Sequence, residues 1–505
     1  MAAEHLNVLI IGAGLSGVGA AWHLQNQCPS KTFALLEARQ AIGGTWDIHR
    51  YPGVRSDSEM YTYAYNFRPW TDSKVIADGA TILKYIRDTA SENGIDKKVR
   101  YGVKVVKADW SDDTATWTVT TERQVDGSPK QEQITCDFLL SCAGYYSYEK
   151  PNIPDFAGRD DFKGPVVHPQ QWPDDLDYTG KTVVIIGSGA TAVTLLPSMT
   201  DKAAHVTMLQ RTPTYMANIP ERDRISDTLR KVMPDMMVHR LGRARGVALQ
   251  LGVFRLAKAQ PKVLRGALLG MAKRQLGSKV DMKHFTPNYN PWDQRLCAVP
   301  NGDLFKAVRS GKASVVTDHI DRFTAKGIKL KSGQELEADI IITATGFNIQ
   351  LIGGMTLSKN GKAVNLSKGM AYRGTLFEGI PNLGMIFGYT NSSWTLKSDI
   401  SSEYICRLIN YMDKHGYDRC APVNTDPSVK PEYFVTEDSG AGSAGYIQRA
   451  LEMMPKQGNK APWRVYMNYL LDLPALRLSP LNDGVMKFSS LRKGNNAAGG
   501  RRAVA

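Results

Sequence analysis

The chain has 505 residues, length enough for about three domains, and its 42% hydrophobic and 22% charged residues are the proportions of a globular protein. No run of about 18 apolar residues predicts a spanning helix, and no basic n-region with a cleavage site opens the chain, so a cytoplasmic location is expected. The net charge is +14, but Arg222 to Val280 alone carry 14 Lys/Arg against three Asp, so the excess belongs to one segment and no nucleic-acid partner is indicated.

The first predicted elements lie in "LNVLIIGAGLSGVGAAWHL": a buried strand, a glycine turn and a small-residue helix. Gly12, Gly14 and Gly17 form G-x-G-x-x-G around Ser16. The spacing allows a tight turn, approach of the backbone to a pyrophosphate, and close helix–sheet packing. Glu37 ends the next strand, twenty residues after Gly17, where a carboxylate accepts ribose hydroxyls and repels a 2′-phosphate. This site therefore reads as FAD or NAD. "GGTWDIHRYPGVRSDS" (43–58) follows. Its Gly43, Gly44, Thr45, Trp46 and Asp47, and further on Arg55 and Asp57, are expected to cover the cofactor or its phosphates. "VRYGVKVVKADW" predicts an alternating strand pair near the cofactor at Val105. "DFLLSCAG" (137–144) is a strand whose small terminal residues bring backbone close to a ligand.

"FKGPVVHPQQWP" (162–173) reads as neither helix nor strand, because three prolines lack amide donors and restrict their neighbours. It nonetheless carries Phe162, Gly164, His168, Trp172 and Pro173 at set spacing. A second strand–turn–helix, "KTVVIIGSGATAVTLL", presents Gly187, Gly189 and Ala192, with Ser188, Ala190 and Thr191 between and beside them. The strand after it ends in Arg211 and Thr212 rather than an acid. A guanidinium there suits a 2′-phosphate, so this cradle reads as NADP.

Two dinucleotide cradles imply electron transfer between them. A flavin disulfide reductase needs paired cysteines, whereas Cys28, Cys136, Cys142, Cys297, Cys406 and Cys420 are far apart in sequence. His49, His205, His284 and His319 form no ligand motif, so no metal is expected, and G-x-S-x-G is absent. Residues 214–290 interrupt the α/β pattern. "VLRGALLGMAKRQL" sets Leu264, Leu268 and Met271 on one helical stripe beside basic residues. Peripheral contact of residues 222–280 with an anionic membrane is one reading; a helical subdomain with a solvated basic side is the other, and the favoured one. "ADIIITATGF" (338–347) is another strand ending in small residues, expected beside the flavin. The chain divides into an FAD part (1–150), an NADP part (151–213), a helical basic insertion (214–294), the rest of the NADP part (295–347), the rest of the FAD part (348–492) and a disordered tail (493–505). The fold class is α/β, with two Rossmann-like domains and a helical insertion.

Phe162-x-Gly164-x-x-x-His168-x-x-x-Trp172-Pro173, framed by two dinucleotide motifs, resembles the fingerprint of type I Baeyer–Villiger monooxygenases. "GGTWD", "RYPGVRSDS", "NPWDQRLC", "ITATG" and "GYTNSSWTLK" are similar to the ethionamide-activating branch. The resemblance implies FAD and NADPH as cofactors, O2 as co-substrate, and a ketone or sulfur-containing small molecule as substrate. It implies oxygen insertion beside a carbonyl, through a C4a-peroxyflavin, to give an ester or lactone. It makes Arg295 the catalytic arginine and Asp57 the acid that orients it, with His168 and Trp172 as hinge residues. Gln294 stands where many members have a lysine, which shifts the NADPH preference towards Arg211 and Thr212. The alternatives are a flavin monooxygenase acting on sulfur or nitrogen, as thioamide oxidation in that branch suggests, and a non-catalytic NADP-sensing or membrane-bound scaffold.

Overall fold

Val8 to Ile11 have no polar side to show to water. In the computed structural model they form the inner part of β1 (Glu4–Ile11), a central strand with Leu9 and Ile10 fully buried. The structure describes residues 3–294, 296–436 and 445–491. The tail expected at 493–505 lies outside them. Strand β1 is followed by helix α1 (Leu15–Gln27) and returns in parallel through β2 (Phe33–Glu37) on one side. Strand β3 (Val99–Tyr101) extends that edge, while β4 (Lys104–Ser111), β5 (Thr116–Val125) and β6 (Ser128–Ser141) reach the other side of β1 as an antiparallel run, with β6 parallel to β1. The chain leaves β1 towards β2 on one side and later returns to β6 on the other. That reversal is the position where open α/β sheets bind ligands.

Strands β3 and β4 are not the pair expected from "VRYGVKVVKADW". Strand β3 pairs with β2, and β4 pairs with β5 and with Thr356–Lys359. Alternation shows that a segment is a strand, but the partner is chosen by distant chain.

Strand β7 (Tyr146–Pro151) leads out of this sheet, and β8 (Val166–Val167) enters a second one. The second sheet runs Ala313–Thr317, β10 (His205–Gln210), β9 (Thr182–Ile186), Ile340–Thr343, β8, all parallel. Two expectations change here. The proline-rich stretch 162–173 holds the short strand β8 and a 3-10 turn at Pro169–Gln171, because its prolines flank the paired valines. "ADIIITATGF", read as a flavin contact, pairs with β9 in the second sheet, in keeping with the NADP part drawn over 295–347.

The basic segment is helical: α2 (Thr45–Ile48), α3 (Met60–Tyr63), α4 (Gly79–Glu92) and α5 (Ala190–Met199) come earlier, and α6 (Arg224–Leu229), α7 (Asp235–Ala259) and α8 (Pro261–Leu276) make up the insertion. Glycines let α7 lie directly on the first unit. A side chain at Gly242 would meet the Tyr61 ring at 2.6 Å, and one at Gly246 would meet the Glu59 carboxylate at 2.1 Å. Between them Arg243 is buried and donates to the carbonyls of Tyr61, Thr62 and Ala64, capping the end of α3, and it pairs with Asp399 at 3.3 Å. Arg230 and Arg245 likewise pair with Asp227 and Asp223. These three charges are structural, while ten of the segment's fourteen Lys/Arg are exposed, as a helical unit with a solvated basic side requires. No helix among the described residues is long and apolar enough to cross a membrane.

His239 on α7 is fully buried. Its Nδ1 accepts from the Trp70 amide at 3.3 Å and its Nε2 lies 3.1 Å from the Tyr65 carbonyl, the pattern of a neutral ring. Burial, with the Arg243 guanidinium nearby, lowers its pKa to about 4. The unfolded chain would take up a proton at an ordinary histidine pKa of about 6.5, so the unfolded state binds more protons between these values. The stabilisation is whole above pH ~6.5 and is lost as pH falls towards ~4. In urea unfolding, the midpoint should therefore fall over this window by more in the wild type than in His239→Gln. Equal falls would show that His239 is not the acid-sensitive contact.

Candidate active site

The two glycine turns share a construction. Gly12 sits at φ +96°, and a Cβ there would stand 2.7 Å from the Cys142 carbonyl at the end of β6. Gly187 sits at φ +137°, and a Cβ there would stand 2.4 Å from the Ala344 carbonyl at the end of Ile340–Thr343. The small residues ending "SCAG" and "TATG" therefore serve the turn itself, by letting it press against a neighbouring strand. Gly17 completes the first turn: a Cβ there would lie 1.9 Å from the Gly12 carbonyl. Ala192 is the buried counterpart in the second.

A cavity of about 1210 Å³ runs from the first turn to the second. That exceeds the roughly 300–1,000 Å³ of a single-ligand pocket. Gly12, Gly14, Ser16, Glu37, Gly44, Thr45, Trp46, Arg55, Asp57 and Val105 all line it, and from the second cradle Ala190 and Thr191. The Glu37 carboxylate accepts from the Ala13 amide (2.8 Å) and the Arg39 amide (2.9 Å), which fixes its head and leaves each oxygen a further lone pair. Burial raises its pKa, against those two bonds. Gly44, at φ +54°, packs on Gly14, so two side-chain-free backbones form one wall. A bulkier residue at either would fill the space beside the α1 N-terminus. These features fit an adenine dinucleotide: a cradle without side chains, a helix start, and an acid in register.

Other candidates stand elsewhere. Asp47 is off the cavity wall, and its two oxygens are taken by Arg39 (2.6 Å) and Arg87 (2.9 Å). The Ser16 hydroxyl accepts from the Trp394 indole at 2.7 Å. Ser188 donates to the Thr212 carbonyl at 3.0 Å, tying the second turn to the loop that follows β10. Arg211 is exposed at the end of β10, and no ion pair among the described residues engages it. Gly189 makes no close approach: a Cβ there would meet nothing within 4 Å. Arg295 lies outside the described residues, although Trp292 and Leu296 on either side of it line the cavity.

The linker is built as a brace. Phe162 is buried in the core of the second unit; a side chain at Gly164 would clash with the Asp339 carbonyl at 2.2 Å. His168 Nε2 lies 3.2 Å from the Gly346 carbonyl, and Trp172 packs on the second unit's core. Gln170 donates to the Ser147 carbonyl. Pro173 follows at the chain's exit towards β9.

Sequence reading missed the clasp between the cradles. Residues of 43–58 reach the second unit: Tyr51 meets Thr191, a side chain at Gly53 would strike Ser198, and Arg55 pairs with Asp303 at 2.5 Å, the first residue of Asp303–Arg309. The loop "GYTNSSWTLK" supplies the far wall, with packing not legible in sequence: Trp394 stacks on Tyr145 (5.3 Å) and Tyr389 donates to Asp472, itself paired with Lys397 at 2.9 Å. The signal for the clasp was present in "RYPGVRSDS", whose Tyr, Gly and Arg are not cofactor-only residues. Cys28 and Cys406, distant in sequence, meet between α1 and Trp394–His415, with the Cys28 thiol 3.6 Å from the Cys406 carbonyl; both are buried. No group of three or more potential metal ligands occurs among the described residues.

Comparison with known proteins agrees with this layout. The model of flavin-binding monooxygenase-like proteins matches residues 6–370. The chain is 52% identical to MymA of Mycobacterium tuberculosis over 500 residues, covering 98% of this chain and 100% of that one. It is 50% identical to the FAD-containing monooxygenase EthA of Mycolicibacterium smegmatis over 497 residues, covering 98% and 99%. Among solved structures, an oxidised steroid monooxygenase bound to NADP superposes with a TM-score of 0.76 at 21% identity, covering 96% of this chain and all of that one. Cyclohexanone monooxygenase bound to ε-caprolactone superposes at 0.71 and 20% identity, with the same coverage. With two glycine turns at the starts of α1 and α5, both helix starts reaching one cavity, and relatives matched along almost its whole length, the chain belongs to the flavin-binding monooxygenase-like family.

Proposed function

We propose that the protein is an FAD- and NADPH-dependent Baeyer–Villiger monooxygenase, converting a ketone to an ester or lactone and also oxidising sulfides or thioamides. The observation that supports this most directly is the single cavity whose walls include the first cradle, Asp57 and, from the second cradle, Ala190 and Thr191 at the start of α5. Two dinucleotides and a substrate need one shared space, and its volume is more than one ligand requires. FAD, when bound, supplies acceptance of hydride from NADPH and activation of O2; the protein supplies placement and charge. The first turn and the N-terminus of α1 hold the pyrophosphate, and Glu37 takes the ribose hydroxyls. Arg211 and Thr212 hold the 2′-phosphate. Asp57, on the cavity wall, orients the guanidinium of Arg295, which stabilises the oxyanion formed on the substrate carbonyl. The loop 43–58 keeps the two cradles in register through Tyr51 and Arg55. The deciding experiment is product identification from one ketone and one sulfide, run beside NADPH consumption. Ester formation supports the reading; sulfoxide with no ester would leave a sulfur-oxidising monooxygenase.

Coenzyme choice gives a separate test. A charged hydrogen bond is worth about 1.5–3 kcal/mol, or roughly ten- to a hundredfold in affinity. Arg211→Ala should raise the NADPH KM by that factor and leave the NADH KM nearly unchanged. Equal losses with both coenzymes would place the arginine outside phosphate recognition.

A further inference from the structure

Seven of the sixteen large hydrophobic side chains that stand exposed among the described residues fall between residues 225 and 263, so this segment is unusual for the molecule. On α7, Met237, Leu241, Leu249 and Leu256 are 40–60% exposed and recur at near-helical spacing along one side. Ala244, Ala248 and Gly252 lie between them and are exposed too, leaving a smooth apolar strip on a helix about 37 Å long. The opposite side of α7 is the one buried on α3, through Gly242, Arg243 and Gly246. Exposed Arg240 and Lys258 lie along one edge of the strip, Arg255 falls on that side of it, and exposed Lys262 follows at the start of α8. Arg243 and Arg245, by contrast, are spent on Asp399 and Asp223, so the outward charge is a selected subset. Ile225 and Leu249 belong both to this face and to the cavity wall, which makes the strip continuous with the cavity lining.

We propose that the α7 face is a docking surface for an anionic lipid bilayer, and that it delivers apolar substrates from the bilayer into the cavity. An apolar strip bordered by basic side chains is the make-up of a helix lying in the headgroup region: leucines enter the acyl boundary and arginines reach the phosphates. A second copy of this chain is a poor occupant. A two-fold interface through this face would set one basic border against another, and like charges across an interface are unfavourable. A neutral bilayer would satisfy the leucines and not the arginines. The inference is independent of which oxygen-transfer reaction the cavity performs.

The test uses the full-length, flavin-loaded protein and sedimentation with phosphatidylcholine vesicles, with and without phosphatidylglycerol. Binding is expected only with the anionic lipid. It should be lost in about 1 M salt, where screening acts within about 3 Å. Each basic residue near a surface contributes about fivefold to partitioning, so Arg240→Gln/Arg255→Gln should weaken binding about 25-fold. Met237→Glu/Leu241→Glu should weaken it as well, with flavin content and NADPH oxidation unchanged. Equal binding to neutral vesicles, no binding to anionic ones, or full binding by both variants would overturn the proposal. So would an oligomer that Leu241→Glu dissociates, since the face would then belong to a second copy.

Discussion

Arg295→Ala should be a yellow protein that consumes NADPH slowly, releases hydrogen peroxide and forms no ester. Oxygen insertion beside a carbonyl places negative charge on the substrate oxygen, and a fixed cation in a shielded pocket is the strongest partner for it. Arginine suits the task because it keeps its proton at any working pH. Residue 295 lies between two cavity-lining positions, Trp292 and Leu296, with Asp57 on the same wall. The first cradle is a separate part of that wall, so flavin should remain bound. Hydride transfer creates no oxyanion and should survive in part. Loss of one preorganised oxyanion partner costs about a hundred- to a thousandfold. Arg295→Lys should rescue little, because an ammonium lacks the planar fork and can give up its proton. The measurement is ester formed against NADPH consumed, with flavin content read by absorbance. Ester at near wild-type coupling would make the arginine structural and remove it from the proposed catalytic set.

The glycine turns were legible because their requirement is local and steric: only glycine fits φ +96° beside the Cys142 carbonyl, and the sequence cannot hide that. The acid in register at Glu37 was legible for a similar reason, since one strand and one helix set its distance. The strand at 340–343 shows an equally sound local pattern of a strand ending beside a ligand, but that pattern does not say which sheet it joins. "SCAG" and "TATG" obey the same rule, and only long-range pairing with β9 separates them. The basic segment is helical with most of its charge outward, as the favoured reading has it, but the exceptions were not legible from charge. A charge count treats Arg243 and Arg240 alike, yet one is buried as the cap of α3 and the other faces water. The packing that buries Arg243 was foreshadowed by "GRARG", whose two glycines at i and i+4 mark a close helix contact. The clasp of Tyr51 and Arg55 onto the second unit had only a weak trace in "RYPGVRSDS", because its partners depend on where α5 and Asp303 arrive.

Gly12→Ala and Gly189→Ala should fail in opposite ways, although both sit in matching glycine turns. At Gly12 a methyl group meets a backbone carbonyl at 2.7 Å, in a conformation that L-residues avoid. Left-handed backbone costs about 1–2 kcal/mol for a side-chain-bearing residue, and overpacking a rigid site costs about another 1–3 kcal/mol. The carbonyl follows directly on β6, and the Cys142 amide donates to the Ile11 carbonyl at 2.8 Å, which holds the strand end against β1. Relief would therefore come from widening the turn, which moves the α1 N-terminus off the pyrophosphate. Gly12→Ala should be purified colourless or nearly so, with a lowered thermal midpoint. At Gly189 the backbone is ordinary, φ −79°, and a methyl group would meet no protein atom within 4 Å. Nothing in the fold asks for glycine there. The remaining reason for it is approach of a phosphate, which a methyl group would block. Gly189→Ala should thus keep its yellow colour and thermal midpoint, while the NADPH KM rises by roughly an order of magnitude or more. Flavin content, melting and coenzyme kinetics on the two variants separate the roles. If Gly189→Ala used NADPH like the wild type, the second turn would be a structural repeat of the first and not a coenzyme site.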